Sequence, residues 1–295
     1  MKKIVFILAL SGLFSCGRFG NREHVAAGEQ RIVCLSKQLT EMMFAIGKGK
    51  NIVAVDLSST FPDSAKLLKT VGYHRALSPE AIIAVNPDLV IHSNDIGPEN
   101  VLPQIKTAGL KVEAFGGANS PDSARLLLTA LGKYFDVPAQ ATAAIARMDS
   151  GLALATRKAA EKSIQDSPLV MVIHFGRASN VYFVMSGRGG VPDKMISMAG
   201  GRVVKYDAKG ARQISAEAVA TANPDVIIAT DYGFDKMGGM DKFISDIPGV
   251  ALTNAGKNKR IVRFEEHDLI YFGPRSGDNI IKLMDLIHTV PYVAK

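Results

Sequence analysis

Short apolar runs alternate along the chain with segments that carry helix signals. Runs such as Leu89-Val90-Ile91 and Met171-Val172-Ile173 have the length and composition of buried strands. Segments between such runs begin with capping residues or end at a glycine, as residues 40–47 do, and therefore predict helices. Regular alternation of this kind is typical of parallel sheets with helices on both faces. The pattern predicts an α/β fold.

One helix–strand unit occurs twice. Residues 77–93 read LSPEAIIAVNPDLVIHS and residues 214–230 read ISAEAVATANPDVIIAT, and Ser, Glu, Ala, Asn, Pro, Asp and one Ile coincide without a gap. The shift of 137 residues is nearly half the chain, which is too long for a solenoid repeat. The repeat therefore predicts two Rossmann-like lobes of similar design.

A long helix is predicted between the two units. Residues 137–165 are rich in Ala, and Ile145, Met148 and Leu152 fall at helical spacing. At ~1.5 Å per residue this helix would be ~40 Å long. We interpret residues 137–166 as a stiff spine between an N-terminal lobe (31–136) and a C-terminal lobe (167–295), and an ordinary surface helix of one lobe is the alternative. Residues 231–239 are expected to form a loop.

The N-terminus has the features of an export signal. Lys2 and Lys3 precede an apolar run that is far shorter than the ~20 residues of a membrane span. The small residues before Cys16 resemble the lipobox of bacterial lipoproteins, which implies a signal peptide of residues 1–15 and a lipid on Cys16. An export signal with an unmodified cysteine is the alternative. The polar residues 16–30 predict a flexible tether, and the expected location is the periplasm, on a lipid anchor.

Charge and cysteine content exclude some classes of function. The net charge is +7 and falls to +5 without Lys2 and Lys3, and the basic residues are scattered. An exported chain without a basic-aromatic stripe is a poor candidate for nucleic-acid binding. A lipidated Cys16 leaves Cys34 as a buried core residue without a disulfide partner. We expect a monomer that contacts a membrane only through its lipid.

Several motifs together resemble one family. They are the Gly72-Tyr73-His74-Arg75 loop before the first repeated unit, the paired Asn-Pro-Asp strands, the spine helix, and the segments SGRGG (186–190) and FGPR (272–275). This set is similar to periplasmic haem-binding proteins of bacterial haem ABC importers. That class has two α/β lobes joined by one rigid helix and also includes vitamin B12 and siderophore binders. The resemblance implies that ferric haem is the transported ligand, that Tyr73 ligates its iron and that Arg75 supports Tyr73.

The chemistry of these residues suits that ligand. Ferric iron prefers a hard anionic oxygen, and tyrosinate is a haem ligand. A free tyrosine has a pKa of about 10, and a metal ion or a nearby cation favours its phenolate. In an extended loop the side chains of Tyr73 and Arg75 would share one face, so the guanidinium could reach the phenol oxygen. His74 would then point to the other face, towards solvent or the rim.

Further candidates follow the strands. His92 and His174 lie at the carboxyl ends of predicted parallel strands, where open α/β sheets bind ligands. His174 is the better candidate for a second axial or a propionate contact, and Tyr232 is a further candidate to line the pocket. Hydrogen-bonded core histidines are the alternative, and His267 is expected to be peripheral. SGRGG lacks a nucleotide-binding spacing and predicts a tight turn beside the cleft.

Glu80 and Glu217 occupy the same place in the two repeated units. A carboxylate in the first turn of a helix is favourable in itself, so capping is a sufficient explanation. The resemblance implies a second role, because in this class one exposed Glu per lobe docks on arginines of the membrane permease.

The leading hypothesis is a haem-binding lipoprotein, not an enzyme, that delivers haem to the permease of an ABC importer. A cobalamin or ferric-siderophore binder of the same fold is the first alternative. An exported chelatase-like metal enzyme that uses His92 and His174 is the second.

Overall fold

The computed structural model describes residues 29–161, 167–176, 181–205 and 214–289. The predicted signal peptide, Cys16, most of the predicted tether and the last residues of the predicted spine (162–166) lie outside these ranges. Within the described ranges, no helix combines the length and apolar composition needed to cross a membrane.

The first half of the chain forms a parallel sheet flanked by helices. Its strand order is β3-β2-β1-β6-β7, and every neighbouring pair is parallel. A separate antiparallel hairpin, β4–β5, follows β3. The elements are β1 (Ile32–Cys34), α1 (Lys37–Ala45), β2 (Ile52–Val55), β3 (Lys69–Thr70), β4 (Gly72–Tyr73), β5 (Ala76–Leu77), α2 (Pro79–Ile83), β6 (Leu89–His92), α3 (Val101–Thr107), β7 (Lys111–Ala114), α4 (Pro121–Tyr134) and α5 (Pro138–Ala160).

The second half repeats this design. Its sheet has the order β10-β8-β11-β12 with parallel pairs, and β9 pairs antiparallel with the second half of the long strand β8. The predicted α/β class with two parallel sheets is confirmed. The elements are β8 (Leu169–Gly176), β9 (Val181–Val184), α6 (Val191–Met198), β10 (Arg202–Val203), α7 (Ala216–Ala222), β11 (Val226–Thr230), α8 (Asp231–Met237), α9 (Met240–Asp246), α10 (Asn254–Lys257), β12 (Ile261–Phe264) and α11 (Ser276–His288).

The Asn-Pro-Asp repeat has the same structural role in both sheets. Asn86 and Asn223 follow the short helices in the left-handed region, with φ of 47° and 40°, which Asn tolerates better than most residues. The following Pro cannot continue a helix. Asp88 then accepts a hydrogen bond from the backbone N–H of Arg31 (2.7 Å), and Asp225 accepts one from that of Leu169 (2.9 Å). Each motif therefore ends a helix and ties the next strand to its neighbour.

Helix α5 packs against helices from both halves of the chain. Its buried face carries Ala141, Ala144, Met148, Leu152 and Ala155, and it contacts α4 on one side and α11 on the other. The 23 residues give a length of ~35 Å. One hydrophobic cluster extends from the first sheet through α5 to α11, so the two halves share a continuous core.

Glycines allow the helices to approach closely where α5 meets α11. A Cβ atom added to Gly277 would lie 2.1 Å from the backbone carbon of Gly151, a distance that no real side chain could adopt. This contact fixes the C-terminal helix against the middle of α5.

The loop predicted at residues 231–239 is wrong, because most of it forms α8. Its sequence, DYGFDKM, has weak apolar periodicity and an internal glycine, which is why propensity does not reveal a helix. The glycine is required by packing, since a Cβ at Gly233 would lie 2.5 Å from the Cβ of Phe175. The helix ends at Gly238, which has a φ of 91°.

A buried polar network joins α1 to the segment before α11. The carboxylate of Glu41, which is 3% exposed, accepts hydrogen bonds from Tyr271 Oη (2.9 Å) and Arg275 Nε (3.1 Å) and lies 2.9 Å from His267 Nε2. Arg275 also pairs with Asp268 at 2.8 Å. The prediction that His267 is peripheral is wrong. Its charged sequence neighbours resemble a surface loop, but its imidazole is buried in this network.

The network stabilises the charged form of Glu41. Burial alone would raise the pKa of this carboxyl, but the hydrogen bond from His267 and the charge of Arg275 outweigh it and hold the pKa below its ordinary value. The charge of Glu41 therefore stabilises the fold above the pKa of an unfolded glutamate, about 4.3. That contribution is lost as the pH falls through the lower folded pKa.

We expect Glu41→Gln to lower the free energy of unfolding by about 1–3 kcal/mol at pH 7, because Arg275 and His267 lose a buried charged partner while Arg275 keeps Asp268. The difference from the unchanged protein should shrink as the pH falls below about 4. Urea unfolding at both pH values measures this difference. Glu113→Gln, at an exposed ion pair with Lys111, is the control and should change stability by less than about 0.5 kcal/mol. Equal stability of the Glu41→Gln variant and the unchanged protein at pH 7 would contradict the role of the network.

Candidate functional site

A cleft of about 360 Å³ lies between the two sheets and is lined from both sides. Most of its polar wall comes from the loops after β1, β2, β3 and β6, which follow the carboxyl ends of parallel strands. Its lining residues are Leu35, Ser36, Lys37, Gln38, Ser58, Tyr73, His74, Arg75, Ser93, Asp95, His174, Phe183, Met185, Pro192, Glu266, Ile270 and Tyr271.

The hairpin β4–β5 presents three of these side chains. Gly72 pairs with Leu77 and Tyr73 with Ala76, so His74 and Arg75 form a two-residue turn. Backbone hydrogen bonds hold the hairpin on both sides, from Leu57 N to Gly72 O (2.8 Å) and from Gly97 N to His74 O (2.9 Å). The expectation of an extended 73–75 segment is therefore wrong. A tight turn does not alternate its side chains between two faces, and His74 lines the cleft beside Tyr73.

His74 is fixed by a buried carboxylate. Asp56 is fully buried, and its oxygens accept hydrogen bonds from Ser58 N (3.0 Å) and Ser59 Oγ (2.6 Å) and lie 3.1 Å from His74 Nδ1. Burial would raise the pKa of Asp56, but the hydrogen bonds from His74 and the two serines hold it below its ordinary value. The ring of His74 lies 4.4 Å from that of Tyr73. Asp56 thus orients one ring, which in turn packs against the other.

Tyr73 lies half-buried in the cleft wall, and its pKa is raised. Burial is the main cause, the charge of Arg75 acts in the opposite direction, and the carboxylates of Glu266, Asp95 and Asp56 add to the increase. Arg75 donates to Asp95 from Nη2 at 2.5 Å and from Nε at 3.2 Å. Arg75 therefore acts on the phenol of Tyr73 through its charge, which favours the phenolate but does not offset the larger effect of burial.

The opposite wall is formed by His174, Phe183, Met185 and Ile270. His174 is 8% exposed near the end of β8, and its Nδ1 lies 3.1 Å from Thr230 Oγ1. Its Nε2 lies 3.9 Å from a carboxylate oxygen of Glu266. The same oxygen accepts a hydrogen bond from Lys37 Nζ at 3.1 Å, and this ion pair crosses from one half of the chain to the other.

The structure places two of the sequence candidates outside the cleft lining. His92 is buried at the end of β6, with its Nδ1 2.6 Å from Ser93 O, and burial lowers its pKa. Tyr232 lies on α8 with its ring packed 5.6 Å from that of Phe175. His92 thus fits the alternative of a hydrogen-bonded core histidine, and Tyr232, on the unpredicted α8, is not among the residues that line the cleft.

The glycine-rich segment at residues 186–190 is a closed turn. The carboxylate of Asp193 accepts hydrogen bonds from the backbone N–H groups of Gly187 (2.9 Å), Arg188 (2.7 Å) and Gly189 (2.5 Å). These amides already have an anionic partner, so they are not available to cradle a phosphate. The turn leads into Pro192, which lines the cleft.

Glu80 and Glu217 are exposed in the first turns of α2 and α7. The hydroxyls of Ser78 and Ser215 cap these helices, each accepting from the backbone N–H three residues further on. Capping is thus already provided by the serines, and both carboxylates are accessible on the surface.

Sequence reasoning missed most of the charged groups that surround Tyr73. Asp56, Asp95, Lys37 and Glu266 lie in loops or at a helix start whose sequences match no site motif. Asp56 directly follows β2 and Lys37 lies three residues after β1. This position could have identified both, because loops at the carboxyl ends of parallel strands form ligand sites.

Comparisons with known proteins agree with this architecture. The chain is 33% identical to a solved structure described as the periplasmic heme-binding protein RhuT from Roseiflexus sp. RS-1 in apo form, with a TM-score of 0.80 over 89% of this chain and 99% of that one. It is 25% identical to an uncharacterized ABC transporter substrate-binding lipoprotein, YvrC of Bacillus subtilis, over 88% of this chain and 80% of the relative. It is 27% identical to a vitamin B12-binding protein of Yersinia pestis, over 70% and 71%.

The model of the periplasmic binding protein family matches residues 32–267, which include both sheets and every residue that lines the cleft except Ile270 and Tyr271. With two similar parallel sheets, a shared core along α5 and a cleft between them, the chain belongs to the periplasmic binding protein family.

Proposed function

We propose that this protein binds ferric haem in the cleft between its two sheets and delivers it to the permease of an ABC importer. The observation that carries the proposal is the position of Tyr73, whose phenol is presented by a fixed hairpin into a cleft that also contains imidazole and cationic side chains.

Membership of the family defines the general role. Periplasmic binding proteins are non-enzymatic components of ABC transport that bind a ligand and work with a permease, and their location is the periplasm. The alternative of an exported chelatase-like enzyme is therefore wrong.

The coordination chemistry supports iron as the atom bound by Tyr73. A phenolate is a hard anionic ligand and suits ferric iron, and haem proteins use it as an axial ligand. Burial raises the pKa of the Tyr73 phenol, so the proton must leave when the oxygen binds the metal. The rings of Tyr73 and His74 pack together, and His74 is tied to Asp56. This support limits the movement of the phenol oxygen.

The remaining lining suits a flat apolar ring with two carboxylates. Phe183, Met185 and Ile270 supply apolar surface on the wall opposite Tyr73. Arg75 and Lys37 supply cations that can pair with propionates. The solved structure with 33% identity is itself described as a heme-binding protein, which supports the same ligand class here.

Replacement of the ligating oxygen tests the proposal. With ferric haem added to the purified protein, we expect a high-spin spectrum of the tyrosinate type. Tyr73→Phe should remove its charge-transfer absorption and weaken binding at least about tenfold, which corresponds to about 1.4 kcal/mol. Tyr134→Phe, at a ring packed on Phe115 and Phe135 outside the cleft, is the matched control. If Tyr73→Phe bound haem with an unchanged spectrum, Tyr73 would not be the ligand.

Cobalamin is the second candidate, because the curated relatives include a vitamin B12-binding protein. Its cobalt already carries an axial ligand from its own nucleotide base, whereas ferric haem takes its axial ligand from the protein, so the phenol of Tyr73 favours haem. The haem titration, repeated with cobalamin as competitor, separates the two ligands.

Glu80 and Glu217 are proposed as the docking points for the permease. They are exposed, they occupy equivalent positions on two similar halves, and serines already cap their helices. Two equivalent acids fit a receptor with two-fold symmetry.

Loss of both carboxylates should impair transport without affecting ligand binding. We expect the double variant Glu80→Ala/Glu217→Ala to bind haem as the unchanged protein does and to support haem uptake by its importer at least about tenfold less well. Uptake of radiolabelled haem by cells measures this effect. Glu161→Ala, at the exposed end of α5, is the control. Normal uptake with the double variant would exclude these residues from docking.

A lipid on Cys16 is proposed as the membrane anchor, which is supported by the lipobox-like sequence and by the relative described as a lipoprotein. We expect Cys16→Ser to move the protein from the membrane fraction to the soluble fraction and to abolish its labelling by a fatty-acid analogue. Labelling that persists in the Cys16→Ser variant would contradict this anchor.

A further inference from the structure

The carboxylate of Glu266 interacts with several polar and charged groups that line the cleft. Its Oε1 atom accepts a hydrogen bond from Lys37 Nζ at 3.1 Å and lies 3.9 Å from His174 Nε2. Its charge also acts on Tyr73 and Arg75 across the cleft. The backbone N–H of Glu266 donates to Asp231 Oδ1 at 2.9 Å. This bond fixes the backbone at Glu266, and the ion pair with Lys37 holds the carboxylate, whose side chain is 17% exposed.

The position of Glu266 determines what His174 can do. The Nδ1 atom of His174 lies against Thr230 Oγ1, so Nε2 is the ring nitrogen that faces the cleft. A metal ligand must direct its lone pair at the metal ion. Here Nε2 lies 3.9 Å from a carboxylate oxygen of Glu266, which is within ion-pair range but beyond hydrogen-bond distance. The edge of the ring is also packed against Phe183, with centroids 5.0 Å apart, which opposes rotation away from the carboxylate.

We infer that Glu266 sets the coordination of the bound haem iron by retaining His174, so that Tyr73 is the single axial ligand from the protein. This inference rests on the proposed haem-binding function. Its physical basis is competition for one nitrogen, because the imidazole cannot face both the carboxylate and the iron. Glu266 is thus a positioning residue that acts on the metal through His174.

Removal of the Glu266 carboxylate should change the bound iron from a high-spin to a low-spin form. We expect the unchanged protein to bind ferric haem in a five-coordinate, high-spin form. Glu266→Gln removes the charge, and Glu266→Ala also removes the oxygen-bearing group. In at least one of these two variants, most of the iron should become six-coordinate and low-spin, as measured by electron paramagnetic resonance and visible absorption. His174→Ala added to that variant should restore the high-spin form, which identifies His174 as the new ligand.

Two control variants separate the effect of the Glu266 carboxylate from the effects of neighbouring charges. Glu265→Gln changes an adjacent carboxylate that pairs with Arg263 and lies outside the cleft lining, so the spectrum should not change. Lys37→Met breaks the ion pair across the cleft but keeps Glu266 beside His174. The iron should stay high-spin in this variant even if haem binds less tightly.

The outcomes also distinguish this inference from the proposed function. If the unchanged protein bound no haem, the proposed function would fail. If it bound haem and already used His174 as a ligand, or if both Glu266 variants kept its high-spin spectrum, only the role of Glu266 would be overturned.

Discussion

The proposed haem binding depends on how a two-residue turn is held at the carboxyl edge of a parallel sheet. The hairpin of β4 and β5 has only four paired residues and could not keep its shape alone. It is fixed by backbone hydrogen bonds from Leu57 and Gly97 and by the buried carboxylate of Asp56, which orients His74. A Cβ at Gly97 would lie 2.9 Å from the carbonyl oxygen of Arg75, so the close approach of this loop requires glycine. The phenol of Tyr73 is therefore presented to the cleft by rigid surroundings.

The frame around the cleft is equally constrained. A continuous hydrophobic core passes from the first sheet through α5 to α11. The close contact of Gly151 and Gly277 holds α5 and α11 together. The segment before α11 has two roles. Tyr271 and its neighbours bind the buried carboxylate of Glu41, while Glu266, Ile270 and Tyr271 line the cleft. The segment that contributes to the contact between the halves thus also supplies part of the cleft wall.

The sequence revealed the architecture better than the site. Apolar runs, serine caps and the Asn-Pro-Asp repeat depend on local chemistry, and they predicted the α/β class correctly. The loop prediction for residues 231–239 was wrong because a helix with an internal glycine is stabilised here by packing against Phe175. In the cleft, Tyr73 and His174 could be found because of their position and chemistry. Glu266 could not, because its partners Lys37 and His174 are distant in sequence and an isolated acid carries no motif. The ion pair of Arg75 with Asp95 could not be predicted either, since the two residues are 20 positions apart.

The central claim is that the oxygen of Tyr73 binds the iron of a ferric haem in this cleft. Crystals of the haem complex measured at the iron absorption edge test it most directly, because the anomalous signal locates the metal independently of the interpretation of the ring. If Tyr73 is the ligand, one iron peak will lie within bonding distance of its hydroxyl oxygen, between the hairpin and the wall that carries His174. An iron peak outside the cleft, or one in the cleft that is not bonded to Tyr73, would contradict it.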